Sequence, residues 1–391
     1  MNIFQKIIKY PITIITFFSI IISYGIYCLY NIPIDAFPDL TNNQVSIITD
    51  CESMDPLEIE QLVTIPIENA MSGIPNVDEV RSISKFGVSV ITIVFKDNVK
   101  TYFARQLVSE KLQNVLSKIP QGIQPEIAPP TTAMGEIYQY VVEGKNYSAM
   151  ELKTIHDWDI KYQLKKVPGI SEVNTAGGFT KEYHIILDLN KILKYNISLN
   201  EIISAIRENN KNFTGGIIEN NSEQYIIRGI GKLKNIEDIK NILIKKTDSF
   251  PILLKHISQV IYSYPIRQGA VTKDGNGEVV TGMTMMQKGE NSRRVISRVK
   301  EEIKNIQKTL PEGVKIIPFY DQTNLIEQTV NTVKTNLIEA AFLVIAVLLF
   351  MLGNIKAALI VSITIPISMM FSFIGMSWLG ISANIMSLGC S

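Results

Sequence analysis

SGIPNVDEVRS (Ser72–Ser82) and KKVPGISEVNT (Lys165–Thr175) follow one pattern: an apolar–Pro pair closes a helix, and a strand opens behind it. A second pair follows the same rule, LSKIPQGIQPEI (Leu116–Ile127) and QKTLPEGVKIIP (Gln307–Pro318). Repeats of this kind mark a duplicated supersecondary unit. Pro75 and Pro120 stand 45 residues apart, whereas Pro168 and Pro311 stand 143 apart, so the second copy carries about 98 extra residues.

Around these anchors each copy reads β-α-β-β-α-β. In the first, QVSIITD is a strand and DPLEIEQLVTIPIENAM an amphipathic helix. VDEVRSIS and VSVITIVF pair next, and TYFARQLVSEKLQNVLSKI is a helix with apolar residues at helical spacing. In the second, the pieces are EIYQYVVEG, SAMELKTIHDWDIKYQLKKV, ISEVNTAG, EVVTGMTMMQ and SRRVISRVKEEIKNIQKTL. Two right-handed β-α-β units on one open sheet give a ferredoxin-like arrangement. The inserted piece, about Gly178 to Gly269, has strands KEYHIILDL and EQYIIRGI and a helix LNEIISAIREN, enough for a small domain of its own. Within it, RENNKNFTGGIIENNSEQYIIR is polar and glycine-containing and predicts a protruding loop.

The flanks differ in kind. PITIITFFSIIISYGIYCLY (Pro11–Tyr30) is uncharged throughout and long enough, at about 1.5 Å per residue, to span a bilayer core of about 30 Å. Lys6 and Lys9 before it place the N-terminus in the cytoplasm, and the run ends in YNIPIDAFPD rather than at a small-residue cleavage site. LIEAAFLVIAVLLFML (Leu337–Leu352) and AALIVSITIPISMMFSFIGMSWLGI (Ala357–Ile381) form a hairpin about the turn GNIK, with Lys356 on the cytoplasmic side. Three spans therefore enclose a block of about 300 residues on the far side of the membrane. A mean hydropathy of +0.16 with 19% charged residues fits that plan. Lys+Arg 38 against Asp+Glu 37 leaves a net charge of +1 and no basic field for nucleic acid. Cys28, Cys51 and Cys390 are too scattered for a disulfide framework or a CxxC metal site.

Candidate chemistry is sparse. Glu136 opens the first strand of the second copy and Glu172 lies near the start of its second. Those strands run parallel with one antiparallel strand between them, so both starts fall on one sheet edge about 9–10 Å apart. Two carboxylates there would suit a divalent ion of the zinc or cobalt kind; the alternative is a pair of solvated strand ends. Met283, Met285 and Met286 occupy the intervening strand, where apolar alternation into the core outweighs a copper path. His156, His184 and His256 sit on different elements. An ionisable group inside a span would mark a functional site, but Glu339 lies only near a boundary.

Family motifs follow in order along the chain: NIPIDAFPDLTNNQVSI, YFARQLVSEKLQ, MGEIYQYVVEG, PGISEVNTAGGF, ENNKNFTGGIIE, GENSRRV, LPEGVKIIPFYDQT, LFMLGNIKAALIVSITIPISMMF and SANIMSLG. They resemble the heavy-metal branch of the resistance-nodulation-division (RND) pumps, the cobalt–zinc–cadmium resistance (CzcA-type) subunit most closely. The resemblance covers essentially all 391 residues. It implies an α+β membrane protein with transmembrane helices and two ferredoxin-like βαββαβ periplasmic porter modules. The second of these carries an inserted small α+β docking domain. The implied boundaries are a first span within 1–30, a first module at 31–130, and a second module at 131–177 and 270–322 around a docking domain at 178–269. A linker and second span follow at 323–353, and a turn and third span at 354–391.

The resemblance also implies a proton-driven antiporter, not an enzyme, with a divalent Zn, Co or Cd ion as substrate and no resident cofactor. It places the chain in a Gram-negative inner membrane as part of a homotrimer. Expected partners are a membrane-fusion adaptor, an outer-membrane channel and the lipid bilayer. Glu136 and Glu172 are the metal ligands it favours. In the family, SANxMSLG leads into a fourth helix with proton-relay carboxylates. Here LGCS follows, so the sequence reads as a first third of a pump, ended by a frameshift, a stop or an engineered boundary, and inactive alone. The alternatives are a membrane-anchored periplasmic metal-binding or sensor protein, or a pump for Cu(I), Ag(I) or drugs.

Overall fold

The computed structural model describes residues 11–32, 41–220, 223–246, 250–267, 269–275, 277–352 and 355–379. Lys6, Lys9, the PIDAFPDL segment, the Gly353-Asn354 half of the GNIK turn and the SANIMSLGCS tail lie outside these residues. The chain divides into two compact units: residues 1–143, 157–175 and 281–391 form one, and residues 144–156 and 176–280 the other.

In the first unit, β1 (Gln44–Asp50) is followed by helix α2, which runs through Pro56–Ile59, a π-helical turn Glu60–Thr64, and Ile65–Met71. (Helix α1, Pro11–Asn31, precedes both.) Asp55 starts α2 by accepting from the N–H groups of Leu57 and Glu58 at 2.8 and 3.0 Å. β2 (Val77–Lys85), β3 (Val88–Phe95), α3 (Thr101–Gln113) and β4 (Pro125–Ile127) complete the copy, and the sheet order is β2-β3-β1-β4. Alternation puts Val45, Ile47 and Thr49 of β1 inside, while α3 contributes Ala104, Val108 and Leu112 at steps of four. They meet Ile59, Val63 and Ile67 of α2 in one core. Truncating such a residue, Ile47→Ala for example, costs about 2–5 kcal/mol.

The second copy comprises β5 (Thr131–Gly144); α4, built from Ala149–Ile155, a π-helical turn His156–Ile160, and Lys161–Leu164; and β6 (Ile170–Ala176). After the inserted segment come β13 (Val280–Gln287), α9 (Ser292–Thr309) and β14 (Val314–Asp321). The sheet order is β14-β5-β13-β6, the same permutation as in the first copy. The ferredoxin-like reading of both copies therefore holds.

The duplicated proline motifs explain their own conservation of shape. Pro75 is followed by Asn76 at φ 61° and Pro168 by Gly169 at φ 94°. Both turns need a left-handed residue between helix and strand, a conformation that Gly and Asn tolerate best. A Cβ on Gly169 would lie 2.6 Å from Val295 Cγ2, so that copy requires glycine twice over. The second pair repeats the device with Gly122 and Gly313 at φ 96° and 90°.

The other unit contains β7 (Glu182–Leu187), α5 (Leu189–Lys194), α6 (Leu199–Glu208), β8 (Phe213–Asn220) and β9 (Glu223–Gly229). α7 (Ile236–Lys240), β10 (Leu243–Lys246), β11 (Pro251–Leu253), α8 (Leu254–Ile257) and β12 (Ser258–Ser263) follow. Its core gathers Ile197, Ile202, Ile239, Ile252, Leu254 and Val260. A Ser198–Glu201 capping box starts α6. EQYIIRGI is the expected strand, β9, but the stretch before it is no loop: FTGGIIEN is a second strand, β8, and pairs with β9 in a ribbon. Its Asn and Gly residues suggest a loop, yet Ile217 and Ile218 are β-branched and face Ile226 and Tyr225 across the ribbon.

The runs expected to span a membrane are helical: α1, α10 (Gln322–Leu352) and α11 (Ile355–Leu379), of 21, 31 and 25 residues. Among the described residues no helix is long and apolar enough to cross a membrane. α1 packs against α11 where Gly25 admits Met370; a Cβ there would lie 2.6 Å from the Met370 Cβ.

Candidate cation site in the second module

The strand order decides whether the two expected carboxylates can cooperate. β13 lies between β5 and β6, as the sequence predicts, so Glu136 and Glu172 are on strands two steps apart. Their positions along the strands differ from the expectation. β5 begins at Thr131, so Glu136 is its sixth residue, while Glu172 is the third of β6. The earlier start has a cause: the Lys288 N–H, just past β13, donates to the Pro130 carbonyl at 3.1 Å and carries the pairing back to the Pro129-Pro130 step. Both side chains are half-buried. Gln139 Nε2 donates to Glu136 Oε2 at 2.7 Å. Among the described residues no group of three His, Cys, Asp or Glu could hold a metal ion. Within this chain a cation at Glu136 and Glu172 would thus need water, hydroxyl or carbonyl oxygens to complete its shell.

Three further polar contacts surround the same sheet. Burial, with the Asp321 charge added, pushes the Tyr138 phenol up to about 12. Tyr140 is raised as well, first by burial and then by Asp157. Tyr320 on β14 is raised by burial and by the Glu136 carboxylate. Neutral phenols are therefore what this sheet holds at ordinary pH. The Thr284 hydroxyl donates to the Tyr138 carbonyl at 2.9 Å, and the Thr175 hydroxyl donates to Asp157 Oδ1 at 2.7 Å. Lys300 Nζ of α9 lies 2.5 Å from Asp321 Oδ2. Gly282 has no side chain because the Tyr140 ring occupies its place, 2.2 Å from a built Cβ.

The methionines of β13 divide by alternation: Met286 is buried, and Met283 and Met285 are half-buried. The histidines stay apart, as expected. His156 is fully buried in the π-turn. His184 Nε2 lies 3.0 Å from Glu182 Oε2, and His256 Nδ1 accepts from the Leu253 N–H at 3.1 Å. Sequence reasoning missed Tyr138, Tyr140, Asp157 and Asp321. The signal was present in IYQY, where two tyrosines at strand spacing sit in an otherwise apolar run and their hydroxyls must find partners.

Comparison with known proteins brings these observations together. A model of the AcrB/AcrD/AcrF family matches residues 3–390. The protein HelA of Legionella pneumophila is 44% identical over 98% of this chain and 38% of its own length. The cobalt-zinc-cadmium resistance protein CzcA of Cupriavidus metallidurans is 42% identical over 93% of this chain and 35% of its own. A crystal structure of a heavy metal efflux pump superposes with a TM-score of 0.90 at 35% identity, covering all of this chain and 39% of that one. The chain thus spans well under half the length of the relatives it matches.

Proposed function

The chain belongs to the AcrB/AcrD/AcrF family, and on that premise we propose that it forms part of a proton-driven pump exporting divalent heavy-metal ions of the Zn, Co or Cd kind. Members of the family are transporters rather than enzymes. The observation that carries the reading is the pair of βαββαβ modules joined to apolar helices, at 42–43% identity to two CzcA proteins. In this reading α1, α10 and α11 cross a Gram-negative inner membrane and the two modules stand in the periplasm. Glu136 and Glu172 flank β13 and bind the cation in transit, with the metal as cargo and no resident cofactor.

The assembly is part of the same proposal: a homotrimer that engages a membrane-fusion adaptor and an outer-membrane channel. The β8–β9 ribbon supports it, because Phe213, Ile217, Ile218, Tyr225 and Ile226 are all exposed on a two-stranded element. A ribbon so apolar on its outside suits burial against a neighbouring subunit. Within the apolar runs Pro11–Tyr30, Leu337–Leu352 and Ala357–Ile381 the one carboxylate is Glu339, near a boundary, so none is placed deep in a span to relay protons. Residues 1–391 expressed alone should therefore leave zinc and cobalt tolerance at the level of an empty vector.

A chimera tests the cargo. When residues 3–390 replace the matching segment of CzcA, host tolerance to Zn, Co or Cd should be retained. A chimera that reaches the membrane in normal amount and protects against none of these ions would sink the reading. Protection against copper or silver alone would shift the cargo to the methionine-compatible ions.

A further inference from the structure

β14 ends in Asp321, and α10 begins at once with Gln322. Two elements hold the Asp321 carboxylate: Lys300 of α9 pairs with Oδ2 at 2.5 Å, and the Thr323 N–H of α10 donates to Oδ1 at 2.9 Å. Both carboxylate oxygens are thereby engaged.

The next two side chains are different. Gln322 is 4% exposed, and its Oε1 is sealed from solvent with no hydrogen-bond partner. The Thr323 Oγ1 beside it in sequence is sealed and unpartnered in the same way. Two such oxygens on adjacent residues are unusual, because buried polar atoms are nearly always paired.

We infer that Gln322 Oε1 and Thr323 Oγ1 form a binding site for one water molecule at the joint between the second module and α10. Charge selects the ligand. A cation is disfavoured, because Lys300 already neutralises Asp321 and the first turn of a helix carries a partial positive charge. An anion is disfavoured, because the amide oxygen of Gln322 only accepts hydrogen bonds. A small neutral donor remains. Water can donate to Gln322 Oε1, bond to the Thr323 hydroxyl, and reach first-turn groups that lack acceptors within the helix. Strand and helix then meet through a molecule that can change partners when their angle changes.

Two measurements on the full chain test this. Gln322→Met and Thr323→Val each keep the side chain's size and remove its oxygen. If the water is bound, each change should lower the unfolding midpoint by about 2–4 °C. A raised midpoint in both would mean that the oxygens were without any ligand and would overturn the inference. The second measurement does not depend on the variants: a crystal structure of the unaltered chain at a resolution that shows ordered solvent. The expected result is density about 2.7–3.0 Å from both oxygens. Absence of density, or a peak at about 2.0–2.4 Å with metal-like coordination, would overturn the site as proposed.

Discussion

The two modules share a sheet order and differ in what they bury. In the first, Thr64 leaves the π-turn of α2 to bond the Ser84 and Ser89 hydroxyls, each at 2.8 Å. Thr49, Ser89 and Ser84 face one another across β1, β3 and β2, so the polar heart of that module is a row of neutral alcohols. In the second, the π-turn of α4 presents Asp157 to Thr175, with tyrosines and the Lys300–Asp321 pair around the sheet. One topology thus supports an uncharged core and a titratable one. The first buries one ionisable group, the Cys51 thiol, which burial and then Asp50 push up, whereas the second sets carboxylates and phenols around its sheet, where the cation site is proposed.

Substitutions that exchange the two characters would sharpen or break this contrast. The largest effect belongs to the turn after the shared proline. Gly169→Ala must adopt φ 94° and push against Val295, and should cost about 3 kcal/mol, whereas Asn76→Gly in the first module should be close to neutral. Urea unfolding of the whole chain distinguishes them, and equal costs would mean that the two turns are not equivalent. Next, Asp157→Ala leaves the Thr175 hydroxyl without its acceptor and should cost about 1–3 kcal/mol. Thr64→Ala should cost a similar amount by freeing two serines at once. Amide exchange in each module reads the loss locally, and a loss spread evenly over both would break the separation.

Alkaline pH offers a third contrast. Tyr138 is neutral in the folded chain until pH about 12, while in the unfolded chain it ionises near its ordinary 10. Its contribution is fully present below pH about 10 and is lost as pH rises toward 12. The second module should loosen over that window, and Tyr138→Phe should flatten the slope. An unchanged slope would place the alkaline sensitivity elsewhere. The smallest effect is expected at Thr49, whose buried hydroxyl has no partner: Thr49→Val should be neutral or slightly stabilising by thermal unfolding.

Much of the fold was legible because it was written twice. The paired prolines located the helix-to-strand turns, and β13 fell between β5 and β6 as a split β-α-β requires. The two π-turns escaped notice because a single extra residue in a helix leaves the apolar spacing on either side intact. At the candidate site, the strands of Glu136 and Glu172 could be ordered from sequence. The Gln139 partner could not, since residues three apart on a regular strand face opposite sides. Asp321 was hidden for another reason. Its partner Lys300, and the Tyr138 phenol that its charge raises, come from distant stretches, and nothing local to FYDQT announces them.

The π-turns also limit how these modules can change. Glu60–Thr64 and His156–Ile160 occupy comparable places in α2 and α4. A helix that holds one residue more than its α-helical form can lose it only by rotating everything downstream through about 100°. In α2 that rotation would carry Ile67 and Met71 out of the core, and in α4 it would do the same to Leu164. Single-residue deletions should therefore be far less tolerated in these two helices than ordinary substitutions. The paired irregularity is inheritable as a unit, and a homologue that lacked it in one copy would need to have repacked that whole module.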